Sequence, residues 1–126
     1  MSSSTTSPSS NNNKSQLKPL FGITINPNAD ESDLAFELAR KSDKLGIDLI
    51  SIQDHPYNGS FFDTWTLITA LAMCTGHIHV MTNVADIPIR HPPLLAKSAA
   101  TLDILTKGRV ELGIGAGAAW RAIVGY

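Results

Sequence analysis

The feature that most constrains the fold is an alternation of strand-like and helix-like segments, which is clearest across residues 90–117. Two prolines suit the first turn of a helix, where the missing N–H costs nothing. Apolar residues follow at near-helical spacing until a glycine ends the helix: Leu95, Ala99, Leu102, Leu105 and then Gly108. A short strand at 109–114 and a glycine-rich loop complete the unit.

The same unit recurs upstream. Strands are predicted at 21–25, 47–53 and 77–84, and helices run from the N-cap residues Asp30 and Asp63 to Gly46 and Gly76. A fourth helix is predicted to begin near Ala118. Such alternation implies an α/β fold with parallel strands and right-handed crossovers. Two architectures fit this pattern, a doubly wound open sheet or part of a (β/α)8 barrel, and periodicity does not choose between them.

Composition divides the chain into a leader and one domain. Residues 1–18 are rich in Ser, Thr and Asn with almost no apolar content, so we expect a disordered leader. The remainder, residues 19–126, has the length of one domain.

Charge and cysteine content exclude several classes of function. The net charge is −1, without the basic face that a nucleic-acid or anionic-membrane partner requires. No apolar run approaches the roughly 20 residues that span a bilayer. The single cysteine, Cys74, and the absence of a signal-like apolar segment predict a cytoplasmic protein. His77 and His79 alternate along a strand, but the sequence suggests no further ligands, so no metal site is predicted.

Polar or flexible residues follow every predicted strand. They are Asn26, the pair Asp54 and His55, the segment 83–86, and the segment Gly115, Ala116 and Gly117. In either architecture ligands bind at the carboxyl ends of the strands, so these loops are expected to line one site.

His55 is the candidate catalytic residue because an imidazole donates hydrogen bonds and moves protons near neutral pH. The alternative is a histidine that only fixes its loop. Asp54 either orients His55 or caps the loop backbone.

The glycines of residues 113–117 also allow a dinucleotide-binding interpretation. A Rossmann fingerprint needs G-x-G-x-x-G/A at the start of a helix, usually after the first strand. Here the glycines follow the fourth strand, and the spacing of Gly113, Gly115 and Ala118 matches only loosely. A Rossmann-like NAD(P)-binding module is therefore the weaker alternative, and close approach of a flat ring or phosphate to the backbone is favoured.

Several motifs in register resemble the bacterial luciferase-like flavin-dependent oxidoreductases. They are Gln53-Asp54-His55, Thr82-Asn83-Val84, Arg90-His91-Pro92-Pro93, Leu95-Ala96-Lys97, Ala100-Thr101-Leu102-Asp103 and the segment from Gly108 to Gly117. The resemblance runs from about Leu20 to Tyr126. It implies the first four βα units of an incomplete TIM-type (β/α)8 barrel, with residues 19–126 as the N-terminal half.

The resemblance also implies a cofactor and its site. Family members use FMN or a deazaflavin to act as monooxygenases, reductases or dehydrogenases on small organic molecules. His55 would lie near the ring as the catalytic residue. Asp54, Asn83, Val84, Gly115, Ala116 and Gly117 would bind the cofactor, with a cis peptide bond between Asn83 and Val84.

Two departures favour FMN over a deazaflavin. Deazaflavin-dependent sugar dehydrogenases of the family carry a Glu where this sequence has Ala118, and a Trp where it has Gly59. An FMN-type monooxygenase or reductase is therefore expected.

The length of the chain suggests an alternative in which the protein is not an enzyme. A barrel takes about 200 residues or more, and its phosphate site typically follows strands seven and eight. The alternative is a truncated, non-catalytic half-barrel that associates with itself or with a missing C-terminal half. Its exposed sheet edges favour pairing, so the isolated chain is expected to bind FMN poorly and not to be a stable monomer.

Overall fold

The computed structural model describes residues 18–126, so all but Lys18 of the predicted leader lies outside the described residues. Strands and helices alternate throughout this range. In chain order they are β1 Gly22–Ile25, α1 Ser32–Leu45, β2 Leu49–Ile52, α2 Thr64–Met73, β3 His79–Asp86, α3 Pro92–Thr106, β4 Val110–Gly115 and α4 Trp120–Gly125.

The four strands form one parallel sheet in the order β1-β2-β3-β4. Consecutive neighbours joined by right-handed crossovers place all the connecting helices on the same face of the sheet. A Rossmann-type sheet instead places its fourth strand beside the first, giving a 3-2-1-4 order. The α/β prediction is confirmed, and the strand order favours the barrel over the doubly wound sheet.

The core lies between the sheet and the helices α1 to α3. Its buried residues include Ile25, Ile50, Ile52, Val80, Leu67, Ile68, Leu71 and Leu102. In α1 the inner face consists of Ala35, Ala39 and Ser42, whereas Leu34 and Leu45 are largely exposed. The helical spacing of the apolar residues in α1 predicts one apolar face, formed by Leu34, Leu38, Leu45, Ala35 and Ala39. The two alanines are buried and Leu38 packs against the core, but Leu34 and Leu45 lie outside it.

Two of the predicted helix ends are confirmed and one helix start is corrected. Asp63 accepts a hydrogen bond from the Thr66 N–H at 2.9 Å, and Gly46 ends α1 with φ of 75°. Asp30 is not an N-cap. A short 3-10 helix, Ala29–Glu31, precedes α1, and the Asn28 side chain accepts from the Asp30 N–H.

One carboxylate, that of Asp43, binds the loop that precedes β3. Asp43 accepts hydrogen bonds from the backbone N–H groups of Gly76, His77 and Ile78 at 2.7–2.8 Å. Burial raises the pKa of Asp43, but these three donors outweigh it and hold the pKa below its usual value. His77 is therefore in the loop that Asp43 holds, before β3 begins.

Within residues 18–126, none of the helices has the length and apolar character needed to cross a bilayer.

His79 contacts Glu111 on the neighbouring strand, with Nδ1 3.0 Å from Oε1. No group of three His, Cys, Asp or Glu side chains in the described range could hold a metal ion.

Candidate active site

The carboxyl ends of β2, β3 and β4 surround a cavity of about 290 Å³. All seven residues predicted from the sequence line it: Asp54, His55, Asn83, Val84, Gly115, Ala116 and Gly117. Three more residues complete the lining: Tyr57, Asp86 and Ala118. The parallel strands bring these positions together although they are up to 64 residues apart in the chain, which is what strand-end placement predicted.

One wall of the cavity is formed by backbone and small side chains of β3 and β4. The peptide bond between Asn83 and Val84 is cis, as the resemblance implied. A methyl group added at Gly115 would overlap the Val84 side chain, and one at Gly117 would lie 3.0 Å from Asp86 Oδ1. Gly117 also has φ of 80°, in the left-handed region that favours glycine. The wall therefore depends on glycine at both positions.

His55 lies in the loop after β2 and contacts a tyrosine that the sequence analysis did not select. The Tyr57 hydroxyl and His55 Nδ1 are 2.7 Å apart. The ring centroid of Phe61 lies 6.5 Å from that of His55. The imidazole is thus held by a hydrogen bond and by aromatic packing at the cavity.

Asp54 is fully buried, and its carboxylate is bound by protein groups. Arg90 donates to both carboxylate oxygens, and the Asp86 N–H donates to Oδ2 at 3.1 Å. Arg90 also donates to Asp63, the cap of α2, at 2.8 Å. The hydrogen bond to Asp86 joins the ends of β2 and β3, so of the two roles considered for Asp54 the geometry fits backbone capping.

Asp86 is a buried carboxyl group at the end of β3. Among residues 18–126, its Oδ1 atom has no hydrogen-bond partner. Burial, and then the charge of Asp54, raise the pKa of Asp86, while His55 and Arg90 act in the opposite direction. Segment 83–86 was predicted to line the site, but nothing in the sequence distinguished this aspartate from a solvated one.

A larger cavity of about 420 Å³ lies between α2 and α3, away from the strand ends. Trp65, Lys97 and Thr101 are among its lining residues. It contains none of the predicted site residues and no acid–base pair. The smaller cavity at the strand ends is therefore the candidate active site.

The family follows from the sequence itself. Residues 16–126 match the model of a family described as luciferase-like monooxygenase, which covers well over half of the chain. The chain belongs to the luciferase-like monooxygenase family. This confirms the resemblance.

Individual luciferase-like relatives use more than one cofactor. A 4-hydroxyprotoasukamycin monooxygenase of Streptomyces nodosus subsp. asukaensis is 35% identical over 83 residues, 64% of this chain. The FMN complex of the oxygenating constituent of 3,6-diketocamphane monooxygenase from Pseudomonas putida superposes with a TM-score of 0.74 and 29% identity over 83% of this chain. A coenzyme F420 dependent tetrahydromethanopterin reductase from Methanopyrus kandleri superposes with a TM-score of 0.70 and 29% identity over 79% of this chain.

The chain spans only part of each of these luciferase-like relatives. It covers 22% of the Streptomyces enzyme, 32% of the Pseudomonas chain and 27% of the Methanopyrus chain. The two solved relatives are TIM-barrel enzymes, and the four βα units correspond to a part of that barrel.

Proposed function

We propose that this chain forms the ring-facing wall of the cofactor site in a flavin-dependent oxidoreductase, of the FMN-type monooxygenase or reductase class, acting on a small organic molecule. The observation that carries the proposal is the convergence of all seven predicted residues on one cavity at the strand ends. Family membership supports the oxidoreductase class, and the FMN complex of the Pseudomonas relative supports a flavin.

The lining residues fit a flat ring better than a phosphate. Val84 is 40% exposed and presents an apolar surface beside the two glycines. Asn83 and His55 supply polar atoms for the edge of a ring. Among residues 18–126, no lysine or arginine lines the cavity. Since phosphates are bound most strongly by charged or helix N-terminal donors, this wall favours the isoalloxazine ring over the phosphate tail.

The protein groups of the cavity have distinct proposed roles. A reduced flavin supplies the hydride or activates oxygen when bound. His55 donates a hydrogen bond or a proton from its ring, as an imidazole does near neutral pH. Asn83, Val84, Gly115, Ala116 and Gly117 hold the cofactor, and Asp54 supports them through the Asp86 N–H and Arg90.

FMN is proposed over a deazaflavin because of Ala118. This residue lines the cavity, where the deazaflavin-dependent sugar dehydrogenases of the family place an acidic side chain. An alanine supplies neither a proton nor a charge there. The Methanopyrus relative is F420-dependent, so the experiment includes both cofactors.

The test is calorimetric titration of the chain with FMN, riboflavin, F420 and NADPH. We expect weak but saturable binding of the flavins. FMN and riboflavin should bind within about threefold of each other, because no cation that could pair with a phosphate lines the cavity. Tight NADPH binding without any flavin binding would instead support the dinucleotide alternative. F420 binding more than tenfold tighter than FMN would overturn the choice of cofactor.

Self-association is a second candidate property, supported by exposed apolar groups near one sheet edge. Leu112 and Ile114 of β4 and Trp120 of α4 are 44%, 56% and 57% exposed. Strand β4 also has an unpaired edge within the described sheet, and such edges favour pairing. Sedimentation velocity at two protein concentrations tests it: concentration-dependent dimers that Ile114→Glu removes support it, and a monomer at both concentrations contradicts it.

The proposed setting is the cytoplasm, with a small-molecule substrate and no nucleic-acid partner. The single cysteine, Cys74, and the net charge of −1 support it. Fractionation of cells that express an epitope-tagged protein tests the location, and recovery outside the cytosolic fraction would contradict it.

A further inference from the structure

The contact between Tyr57 and His55 is the best-defined polar contact of the cavity that the proposed function does not use. The two residues are two positions apart in the loop after β2, and their side chains both line the cavity. The Tyr57 hydroxyl lies 2.7 Å from His55 Nδ1, within normal hydrogen-bonding range. The ring centroids are 5.4 Å apart, so the two rings also pack against each other.

The direction of this hydrogen bond decides which nitrogen of His55 carries the proton. In a neutral imidazole one nitrogen donates and the other accepts. Burial, and then the charges of Asp86 and Asp54, raise the pKa of Tyr57, so the phenol keeps its proton at neutral pH. Nδ1 can therefore accept a hydrogen bond from the hydroxyl. Among the described residues, no side chain or backbone group is hydrogen-bonded to Nε2 of His55.

We propose that Tyr57 is a positioning residue that donates to Nδ1 of His55 and thereby fixes the tautomer in which Nε2–H faces the cavity. The functional role of this tautomer rests on the proposed function, in which the Nε2–H of His55 donates a hydrogen bond to a bound ring or substrate. The tautomer itself is a property of the free protein. It does not depend on cofactor binding.

The orientation of the ring follows from the same contact. A hydrogen bond at Nδ1 and aromatic packing against Tyr57 and Phe61 restrict rotation about the side-chain torsions. A donor held in one orientation loses less conformational freedom when a ligand binds than a mobile donor does. The ligand chemistry recognised by Nε2–H is an uncharged or anionic acceptor, such as a carbonyl oxygen or a ring nitrogen.

The experiment is nitrogen-15 NMR of the whole chain labelled at histidine, at a pH where His55 is neutral. The His55 resonances are assigned by their loss in His55→Gln. The wild-type protein is expected to show a protonated Nε2 and an unprotonated Nδ1. In Tyr57→Phe the ring remains but the donor is lost, and the ratio of tautomers should fall by about threefold to tenfold, the effect of one hydrogen bond.

Phe61→Leu is the matched control, because it changes the aromatic packing without removing a hydrogen-bond donor. It should leave the tautomer ratio within twofold of the wild type. A wild-type protein protonated mainly at Nδ1 overturns the proposal without any variant. An equal change in both variants also overturns it, since packing and not the hydroxyl would then set the tautomer. Failure to bind any flavin with the expected tautomer intact would reject the proposed function alone.

Discussion

Arg90 and Asp54 form a two-point ion pair, of which Asp54 but not Arg90 lines the cavity: Nε donates to Oδ2 at 3.0 Å and a terminal guanidinium nitrogen donates to Oδ1 at 2.6 Å. The Asp54 side chain is fully buried, and that of Arg90 is 20% exposed. The hydrogen bonds to Asp54 raise the pKa of Arg90 above its usual value. This pair joins the loop after β3 to Asp54, a residue of the cavity lining at the end of β2.

Replacing Arg90 should destabilise the fold. Arg90→Gln leaves the buried Asp54 carboxylate without its cation, and we expect the free energy of unfolding to fall by about 3 kcal/mol or more. Arg90→Lys keeps a charge but loses the two-point geometry, so its loss should be smaller. Urea denaturation measures both.

The matched control is Lys41→Ala, which removes an exposed ion pair to Glu37 at 3.8 Å. Exposed pairs of this kind contribute little, so its effect should stay within about 0.5 kcal/mol. Equal effects of Arg90→Gln and Lys41→Ala would show that the buried pair stabilises the fold no more than an exposed pair does.

Asp86→Asn should stabilise the protein at pH 8. Burial raises the pKa of this carboxyl above its ordinary value of 3.8, so ionisation costs more in the folded than in the unfolded chain. Stability is then lost as the pH rises from 3.8 through the raised value. Asp86→Asn has no such loss. Its free energy of unfolding, measured by urea titration, should therefore exceed that of the wild type at pH 8, and the difference should shrink toward pH 4.

Glu37→Gln makes the same change of charge at a side chain that is 68% exposed, and should show little pH-dependent difference. A lower free energy of unfolding for Asp86→Asn than for the wild type at pH 8 would contradict this prediction. It would indicate that the ionised carboxylate has a stabilising partner in the folded protein.

Gly115→Ala should damage the wall of the cavity. The added methyl group would overlap the Val84 side chain, and overpacking of this kind costs about 1–3 kcal/mol. Because Val84 must move within the wall, flavin affinity should fall by at least about tenfold. Calorimetric titration with riboflavin, together with urea denaturation, separates the two effects.

Gly59→Ala provides the comparison, since a methyl group there meets nothing within 4 Å. It lies in the loop that follows His55 and should change stability by about 0.5 kcal/mol or less. Equal flavin affinity in both variants would show that the β4 glycines are not part of the binding wall.

The sequence allowed the strand–helix order and the strand-end residues to be predicted, because both depend on local patterns. Asp63 and Gly46 were recognised as helix ends from their residue types alone. The 3-10 turn capped by Asn28 was missed because two potential caps, Asn28 and Asp30, are only two residues apart.

The contacts inside the site could not be predicted in the same way. Arg90 contacts Asp54 across 36 residues of chain, a contact that forms only once the sheet is assembled. Tyr57 contacts His55 within one loop, but residue types alone do not predict how two loop side chains are oriented. Asp86 has no local signature that separates a buried carboxyl from an exposed one. In α1 the helical spacing identified the buried Ala35 and Ala39, but spacing alone did not show that Leu34 and Leu45 are exposed.

The central claim is that a flavin ring binds at the strand ends, and amide NMR during a titration with FMN tests it most directly. We predict saturable chemical-shift changes concentrated at residues 83–86 and 115–118 and at His55. Changes concentrated instead around Trp65 and Thr101, in the cavity between α2 and α3, would contradict flavin binding at the strand ends. So would the absence of any saturable change.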